Sequence, residues 1–237
     1  MALSALVGGR ADAAMMIGIN FVGKAKISYS QMDPTEVAGV EPQAHWNNAV
    51  SGNGSLAAPA APVVDETGAA TGVSITWRAD FGCSNIMNNP GNNRLMRGYI
   101  TLLGPDPPKV TVGGLAAVFP HGYEVLVYFD GYNESVAWVV DYYLGGAVRT
   151  GTDPAGVNFG GVFMEDTGSG GNYLRFGPLA DDTFTLTAVP QTGTTSSAIN
   201  AIQILHVPEP ATLVLVAVGL AATLWHRRTS RRKAVGL

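Results

Sequence analysis

Apolar and polar residues alternate along several short segments of the chain. Within residues 72–82, Val73, Ile75 and Trp77 alternate one by one with polar side chains, and residues 183–187 repeat the pattern. Successive side chains of a β-strand point to opposite faces, so this alternation predicts strands with one buried face. Outside the C-terminal tail, no apolar period of 3.6 residues extends beyond about two turns. The pattern therefore predicts an all-β body.

One segment is apolar on both of its predicted faces. Val125, Val127 and Phe129 would lie on one face, and Leu126 and Tyr128 on the other. Such a strand is typical of the centre of a sheet that is covered on both sides. We therefore expect this segment to form a central strand.

The order of these segments predicts a sandwich. About nine strand-like segments, separated by Gly, Pro, Asn and Asp, indicate an antiparallel β-sandwich with a jelly-roll-like arrangement. We expect the first strand, around Ile19, to pair with the last, around Ile202. Trp77 and Trp138 have apolar neighbours and are expected in the core. Residues 50–70 lack periodicity and are predicted to form a long surface loop.

Charge and cysteine content exclude some classes of function. Charged residues make up 14% of the chain, against roughly 25% in an average soluble protein. Residues 14–206 contain 8 basic and 16 acidic side chains, a net charge of −8. Because this charge repels phosphate backbones, we expect no nucleic-acid partner. Cys83 is the single cysteine, so it forms no internal disulfide and is predicted to be a small core or turn side chain.

The N-terminus has part of an export signal. Ala11-Asp12-Ala13 resembles the small-x-small site that signal peptidase cuts. The apolar stretch before it has six residues and no preceding basic residue, whereas a working signal has roughly 7–15 apolar residues after a charged start. We interpret residues 1–13 as a signal-peptide remnant. The alternative is an unstructured N-terminal tail.

The C-terminus combines prolines, an uncharged run and a basic cluster. Residues 211–225 carry no charge and as a helix would span about 22 Å, less than the roughly 30 Å hydrocarbon core. Long basic side chains after the run can reach the headgroups and extend its effective length. The basic cluster comprises Arg227, Arg228, Arg231, Arg232 and Lys233. We expect a single transmembrane helix in the lipid bilayer with the body outside the cell, the alternative being a soluble terminal helix.

The same tail resembles the bacterial PEP-CTERM sorting signal. Pro208-Glu209-Pro210 precedes the apolar run and the terminal basic cluster, in the order of that family's three parts. The resemblance implies that an exosortase recognises Pro208, Glu209 and Pro210 and cuts the tail nearby. It also implies that the body reaches the cell surface or the extracellular matrix. We therefore divide the chain into residues 1–13, a β-sandwich domain (14–206) and a sorting and anchor segment (207–237).

Three residues are candidates for binding a ligand. Trp46 followed by Asn47 offers a stacking face beside amide donors, which suits a sugar; the alternative is that Trp46 plugs an end of the sandwich. Tyr132 lies at a predicted turn and is the best candidate for an exposed aromatic side chain. The body resembles galactose-binding-like jelly rolls, which implies either sugar binding or a structural role. Extracellular polysaccharide is thus a candidate partner.

No motif predicts catalysis. The chain has no Gly-x-Ser-x-Gly elbow, its histidines lack metal-ligand spacing, and its glycine pairs lack the lysine of a phosphate loop. Two carboxylates facing each other across a cleft would suffice for a glycosidase, whereas acidic residues at strand edges also keep a sheet soluble. The carboxylates in the second half are Glu124, Asp130, Glu134, Asp141, Glu165 and Asp166. We predict a protein that is not an enzyme and has no cofactor.

One loop has the composition of a calcium site. Asp130, Asn133 and Glu134 supply three oxygen-bearing side chains within five residues, and Ca²⁺ prefers such hard ligands. The spacing departs from that of an EF-hand loop, and a simple turn stabilised by the Asp or Asn side chain is the alternative.

Three hypotheses for the function follow. The first is an exported, non-catalytic β-sandwich of the cell surface or matrix that contacts polysaccharide or neighbouring proteins. The second is a secreted carbohydrate-active enzyme on the same scaffold. The third is a membrane-anchored domain whose tail is never cut.

Overall fold

The computed structural model describes residues 15–23 and 30–207. These residues belong to the first of two compact units, Met1–Val207. They form thirteen β-strands and one short α-helix, compared with the nine or so strands predicted. The elements are β1 (Met16–Phe21), β2 (Asn47–Ala49), β3 (Asn53–Leu56), β4 (Ser74–Arg78), β5 (Asp80–Cys83), α1 (Asn92–Leu95), β6 (Gly98–Thr101), β7 (Lys109–Gly113), β8 (Tyr123–Tyr128), β9 (Trp138–Leu144), β10 (Ala147–Asp153), β11 (Tyr173–Leu179), β12 (Thr183–Pro190) and β13 (Ala201–His206).

Two main sheets form the sandwich. The five-stranded sheet has the order β11-β8-β13-β1-β2, and the six-stranded sheet has the order β10-β9-β12-β7-β4-β3. Strands β5 and β6 form a separate antiparallel pair. All pairs in the two main sheets are antiparallel except β1 with β2. The prediction of an all-β, antiparallel fold is confirmed at this level.

The first and last strands pair as predicted. Strand β1 runs antiparallel to β13, and Ile19 lies directly opposite Ile202. The backbone N–H of Phe21 donates to the carbonyl of Asn200 at 2.9 Å and extends the ladder by one bond. Because β13 also pairs with β8, the last strand joins the two halves of the five-stranded sheet.

The alternating segments bury their apolar faces between the two sheets. Ile75 and Trp77 of β4, and Phe184 and Leu186 of β12, are all at most 5% exposed. The other face of β12 is polar, and the hydroxyl groups of Thr111 and Thr185 lie 3.1 Å apart across strands. This arrangement confirms the prediction from the period-two pattern.

The five-stranded sheet is covered on both faces. On its inner face, Val125 and Val127 of β8 belong to the core between the sheets. On its outer face, Leu126 and Tyr128 pack in a second apolar cluster. That cluster includes Trp46, Leu95 of α1, and aromatic side chains from the segment between β10 and β11. The doubly apolar pattern of β8 therefore arises from this extra layer.

Some expectations need correction or lie outside the described residues. Residues 50–70 are not a plain loop, because they contain β3, the bridge between Val64 and Ala70, and the fully buried Val63. Among the described residues, no helix is long and apolar enough to cross a membrane. The predicted transmembrane helix at 211–225 and the signal-peptide remnant at 1–13 lie outside those residues.

Phe129 provides a test of the core. It directly follows β8, is 2% exposed and packs on Tyr142 with ring centroids 5.4 Å apart. We expect Phe129→Asp to abolish cooperative unfolding, because a buried unpaired carboxylate costs several kcal/mol. Val148→Asp, at a position that is 54% exposed, should melt like the wild type. Circular dichroism during heating tests both, and a cooperatively melting Phe129→Asp variant would contradict the core assignment.

Candidate functional site

Trp46 is buried and does not offer a stacking face. Its side chain is 4% exposed, and its indole N–H donates to the carbonyl of Gln43 at 3.1 Å. Its ring meets Tyr128 edge to face at 6.3 Å. A Cβ atom on Gly18 would lie 2.6 Å from the indole ring, so the missing side chain of Gly18 makes room for Trp46. The stacking hypothesis for Trp46 is wrong, because the indole covers the five-stranded sheet.

Asn47 is likewise a structural residue. It is 7% exposed, and its Nδ2 donates to the carbonyls of Gly18 and Val64 at 2.9 and 2.8 Å. Its Oδ1 accepts the N–H of Val64 at 2.8 Å. The amide thus joins β1 to the chain around Val64. It is therefore not available to a ligand, contrary to the prediction from the sequence.

Tyr132 is exposed, as predicted. Its side chain is 47% exposed, and its hydroxyl donates to Glu134 Oε1. A Cβ atom on the preceding Gly131 would lie 2.0 Å from the ring of Trp138. Glycine at 131 therefore lets the backbone pass directly over Trp138 before the chain turns outward at Tyr132.

Tyr132 lines a pocket, which we call the Tyr132 pocket. Its volume is about 220 Å³, and its lining residues are Asn85, Tyr132, Asn133, Glu134, Gly156 and Asn158. Three chain segments form it, and Asn133 connects two of them. Asn133 Nδ2 donates to the carbonyls of Asp153 and Pro154 at 2.8 and 3.2 Å, and its own carbonyl accepts the N–H of Gly156 at 2.9 Å. The pocket therefore combines an aromatic ring, primary amides and a carboxylate.

A second pocket of about 180 Å³, which we call the Asp130 pocket, contains two buried carboxyl groups. Asp130 is 3% exposed and Asp153 is 5% exposed. Asp130 follows β8, and its N–H donates to Asn200 Oδ1 at 2.7 Å. Asp153 ends β10, and its Oδ2 accepts the N–H of Gly131 at 2.8 Å. Strand ends from both sheets therefore bring these two acidic residues to one pocket.

Burial changes the ionisation of both carboxyl groups. Loss of hydration raises the pKa of Asp130 to about 8, and the charge of Asp153 raises it in the same direction. Burial also raises the pKa of Asp153 to about 7, opposed by hydrogen bonds from Gly131 and Asn133. Both shifts follow from the penalty on a charged group in a medium of low dielectric constant.

The sequence singled out Asp130 but missed Asp153. The only signal for Asp153 is its position at the end of the alternating segment 147–153, immediately before Pro154. Nothing in the local pattern indicates that β10 ends beside the chain that leaves β8, because that proximity depends on how the two sheets pack.

The other candidate carboxylates do not gather around a cleft. Glu124 forms an ion pair with Arg175. Asp141 Oδ1 accepts hydrogen bonds from Thr150 and Gln191. Asp166 binds backbone N–H groups of its own loop and of Thr152. These side chains are engaged in contacts that stabilise strands and turns.

The proposed calcium ligands are separated. Asp130 lines the Asp130 pocket, whereas Asn133 and Glu134 line the Tyr132 pocket. Among the described residues, no group of three or more His, Cys, Asp or Glu side chains has an arrangement that could hold a metal ion. The set Asp130, Asn133 and Glu134 is therefore divided between two pockets, and as a single cation site it stays a prediction.

Stability should depend on pH through the Asp130 pocket. Between about pH 4 and pH 7 the folded state retains protons that the unfolded state has released, so stability falls as pH rises. Each carboxyl group contributes up to about 1.4 kcal/mol per pH unit, so in EDTA we expect a decrease of up to about 3 kcal/mol per pH unit. Asp130→Asn, which stays neutral, should reduce this slope and unfold at higher urea concentration than the wild type at pH 8. Urea titrations at pH 5, 6, 7 and 8 measure the effect, and equal slopes would contradict it.

Comparison with known proteins concerns mainly the C-terminus. No curated protein sequence matches the chain. A solved structure of Bacteroides uniformis beta-glucuronidase 2, covalently bound to cyclophellitol-6-carboxylate aziridine, is similar at 8% identity and a TM-score of 0.35. That similarity covers 72% of this chain and 22% of the enzyme chain, and at this level it carries no functional argument.

The family match falls on the tail. Residues 206–228 match the family described as PEP-CTERM protein-sorting motif. The match includes the predicted recognition residues Pro208, Glu209 and Pro210 and the first two arginines of the basic cluster. Of the matched residues, His206 and Val207 are described by the structure, and residues 208–228 lie outside the described residues. Such a motif is a sorting signal recognised by an exosortase, and it implies a bacterial protein sorted to the cell surface or beyond it. The chain therefore carries a PEP-CTERM protein-sorting motif at residues 206–228.

Proposed function

We propose that this protein is a non-catalytic β-sandwich of the bacterial surface or extracellular matrix that binds polysaccharide through the Tyr132 pocket. An exosortase cuts the tail near Pro208, Glu209 and Pro210 and releases the body from its membrane anchor. The basic cluster at 227–233 holds the end of the tail on the cytoplasmic side until cleavage. The observation that carries the sorting step is the family match at residues 206–228.

The position of the tail relative to the last strand supports cleavage. The matched motif begins at His206, the residue that ends β13. The N–H of His206 donates to Met15 at 3.1 Å, and that of Val207 donates to Gly122 at 3.2 Å. The ladder of the sandwich therefore runs as far as Val207. A cut within or after Pro208–Pro210 would leave every described strand in the mature body.

The composition of the Tyr132 pocket supports a carbohydrate ligand. The aromatic ring of Tyr132 can lie against the apolar face of a sugar, while the amides of Asn85 and Asn158 can donate to and accept from its hydroxyl groups. Glu134 fixes the tyrosine hydroxyl by a hydrogen bond.

One observation favours the alternative of a carbohydrate-active enzyme. Asp130 and Asp153 share a pocket, and both have raised pKa values. A carboxyl group that stays protonated near neutral pH has the property that a glycosidase requires of its general acid. We prefer the binding function because both carboxyl groups are almost fully buried, whereas Tyr132 is exposed.

Mass spectrometry of the mature protein tests the sorting step. In a host with an exosortase, we expect the surface-exposed form to lack the residues after the Pro208–Pro210 motif. Replacing Pro208, Glu209 and Pro210 by Ala should leave the tail attached and keep the protein in the membrane fraction. A wild-type protein that retains its tail in such a host would favour a permanently anchored domain instead.

Affinity electrophoresis in gels containing bacterial exopolysaccharides tests the binding step. We expect Tyr132→Ala to reduce the retardation of the protein roughly tenfold, the effect of losing about 1–2 kcal/mol of contact energy. Tyr143→Ala is the matched control, because Tyr143 is 45% exposed and lies on β9 outside the pocket. Equal retardation of both variants would contradict the proposal. Release of new reducing ends that is lost in Asp130→Asn would instead favour the enzyme.

A further inference from the structure

The Asp130 pocket contains a buried carboxylate oxygen without a hydrogen-bond partner. Five buried side-chain polar atoms of the described residues lack a partner, and Asp130 Oδ2 is the one carboxylate oxygen among them. Asp130 is 3% exposed, so bulk water does not hydrate this oxygen. Buried polar atoms in proteins are nearly always paired, and a carboxylate oxygen left unpaired is costly.

A second acidic side chain lies in the same pocket. Asp153 lines the same pocket and is 5% exposed. None of the residues that line the pocket is Lys or Arg. Two acidic side chains are therefore buried together without a basic partner among the lining residues. When such groups ionise, they normally require a counter-charge or a metal ion, and otherwise they keep a proton.

The remaining polar groups of the pocket suit a hard cation. Asn158 and Ser169 add an amide oxygen and a hydroxyl oxygen to the lining, and no His or Cys contributes. A set made of oxygen atoms excludes the nitrogen and sulfur ligands that zinc prefers. The volume of about 180 Å³ can hold an ion together with several waters, since one water occupies roughly 30 Å³.

We propose that the Asp130 pocket is a Ca²⁺ site in which Asp130 and Asp153 supply the charged ligands and Asn158, Ser169 and water supply neutral oxygens. Calcium accepts six to eight oxygen ligands in a flexible arrangement, whereas magnesium demands a near-ideal octahedron. With only two carboxylates, we expect a dissociation constant of about 10⁻⁴–10⁻³ M, the range of extracellular modules.

The site would connect parts of the chain that are distant in sequence. Asp130 follows β8, Asp153 ends β10, and Ser169 belongs to the long segment before β11. Asn158 lines both this pocket and the Tyr132 pocket. A cation bound here would therefore fix the segment that completes the Tyr132 pocket. The proposal does not depend on sugar binding, because it concerns the charge balance of the folded body.

Thermal unfolding of the full chain, first stripped with EDTA, tests the site. We expect CaCl₂ at about ten times the dissociation constant to raise Tm by about 4 °C. Glu134→Gln should keep the full response, because Glu134 lies in the neighbouring pocket. Asp130→Asn and Asp153→Asn should each lose most of it. MgCl₂ at the same concentration controls for ionic strength and should give less than half of the shift.

Several results would overturn the proposal. They are the absence of a calcium-dependent shift in the wild type, a shift that persists in both Asp variants, and a shift that is lost in Glu134→Gln. If Asp130→Asn fails to fold, calorimetric titration of the wild type with CaCl₂ remains decisive, since we expect one site per chain. Polysaccharide retardation by a protein that shows no calcium response would overturn this inference alone and leave the proposed function in place.

Discussion

The pairing of β13 between β8 and β1 is the constraint on which the rest of the structure depends. Without residues 201–206, the five-stranded sheet would divide into β11-β8 and β1-β2, each with unpaired backbone groups in the core. The chain can therefore complete its sheet only when nearly all of the body is present. The sorting motif begins where β13 ends. A cut anywhere after β13 would therefore remove the tail and leave every described strand in the body.

The second apolar layer closes one face of the five-stranded sheet. Trp46, α1 and the aromatic residues before β11 cover the outer face of the five-stranded sheet, so that face offers no broad open surface. The inner faces of both sheets are closed against each other. Among the described residues, one open region is a pocket of about 230 Å³ that Arg78, Asp106 and Lys109 help to line. Another is the end of the sandwich where the chain leaves β8 and β10. Tyr132, Asn158 and Asp130 meet there because two strand ends meet there, an arrangement common to binding sites on β-sandwiches.

Local patterns predicted the strands well and the site poorly, for a physical reason. Alternation in β4 and β12 shows which face of each strand is apolar, because the polarity of each side chain can be read from the sequence alone. The burial of Trp46 depends instead on Gly18, whose missing Cβ atom opens space for the indole. Asp153 is 23 positions from Asp130, and only sheet packing brings them together. The tail is the opposite case, because its function resides in a linear order of residues that needs no tertiary contact to be recognised.

Asn158 lines both pockets. In the proposed function, it therefore links the charge of Asp130 and Asp153 to ligand binding at Tyr132. While Asp130 and Asp153 are both ionised and lack a counter-charge, their repulsion favours separation of the ends of β8 and β10. Protonation of one carboxyl group or binding of a cation removes that repulsion. Asn133 then keeps the two segments together through its bonds to Asp153 and Pro154, and Asn158 is held beside Tyr132. With the proposed Ca²⁺ site, the shape of the Tyr132 pocket would thus depend on the state of the Asp130 pocket. A protein sorted to the cell surface meets ions and protons whose concentrations the cell does not control, so under the proposed function this coupling would make the medium itself a determinant of binding.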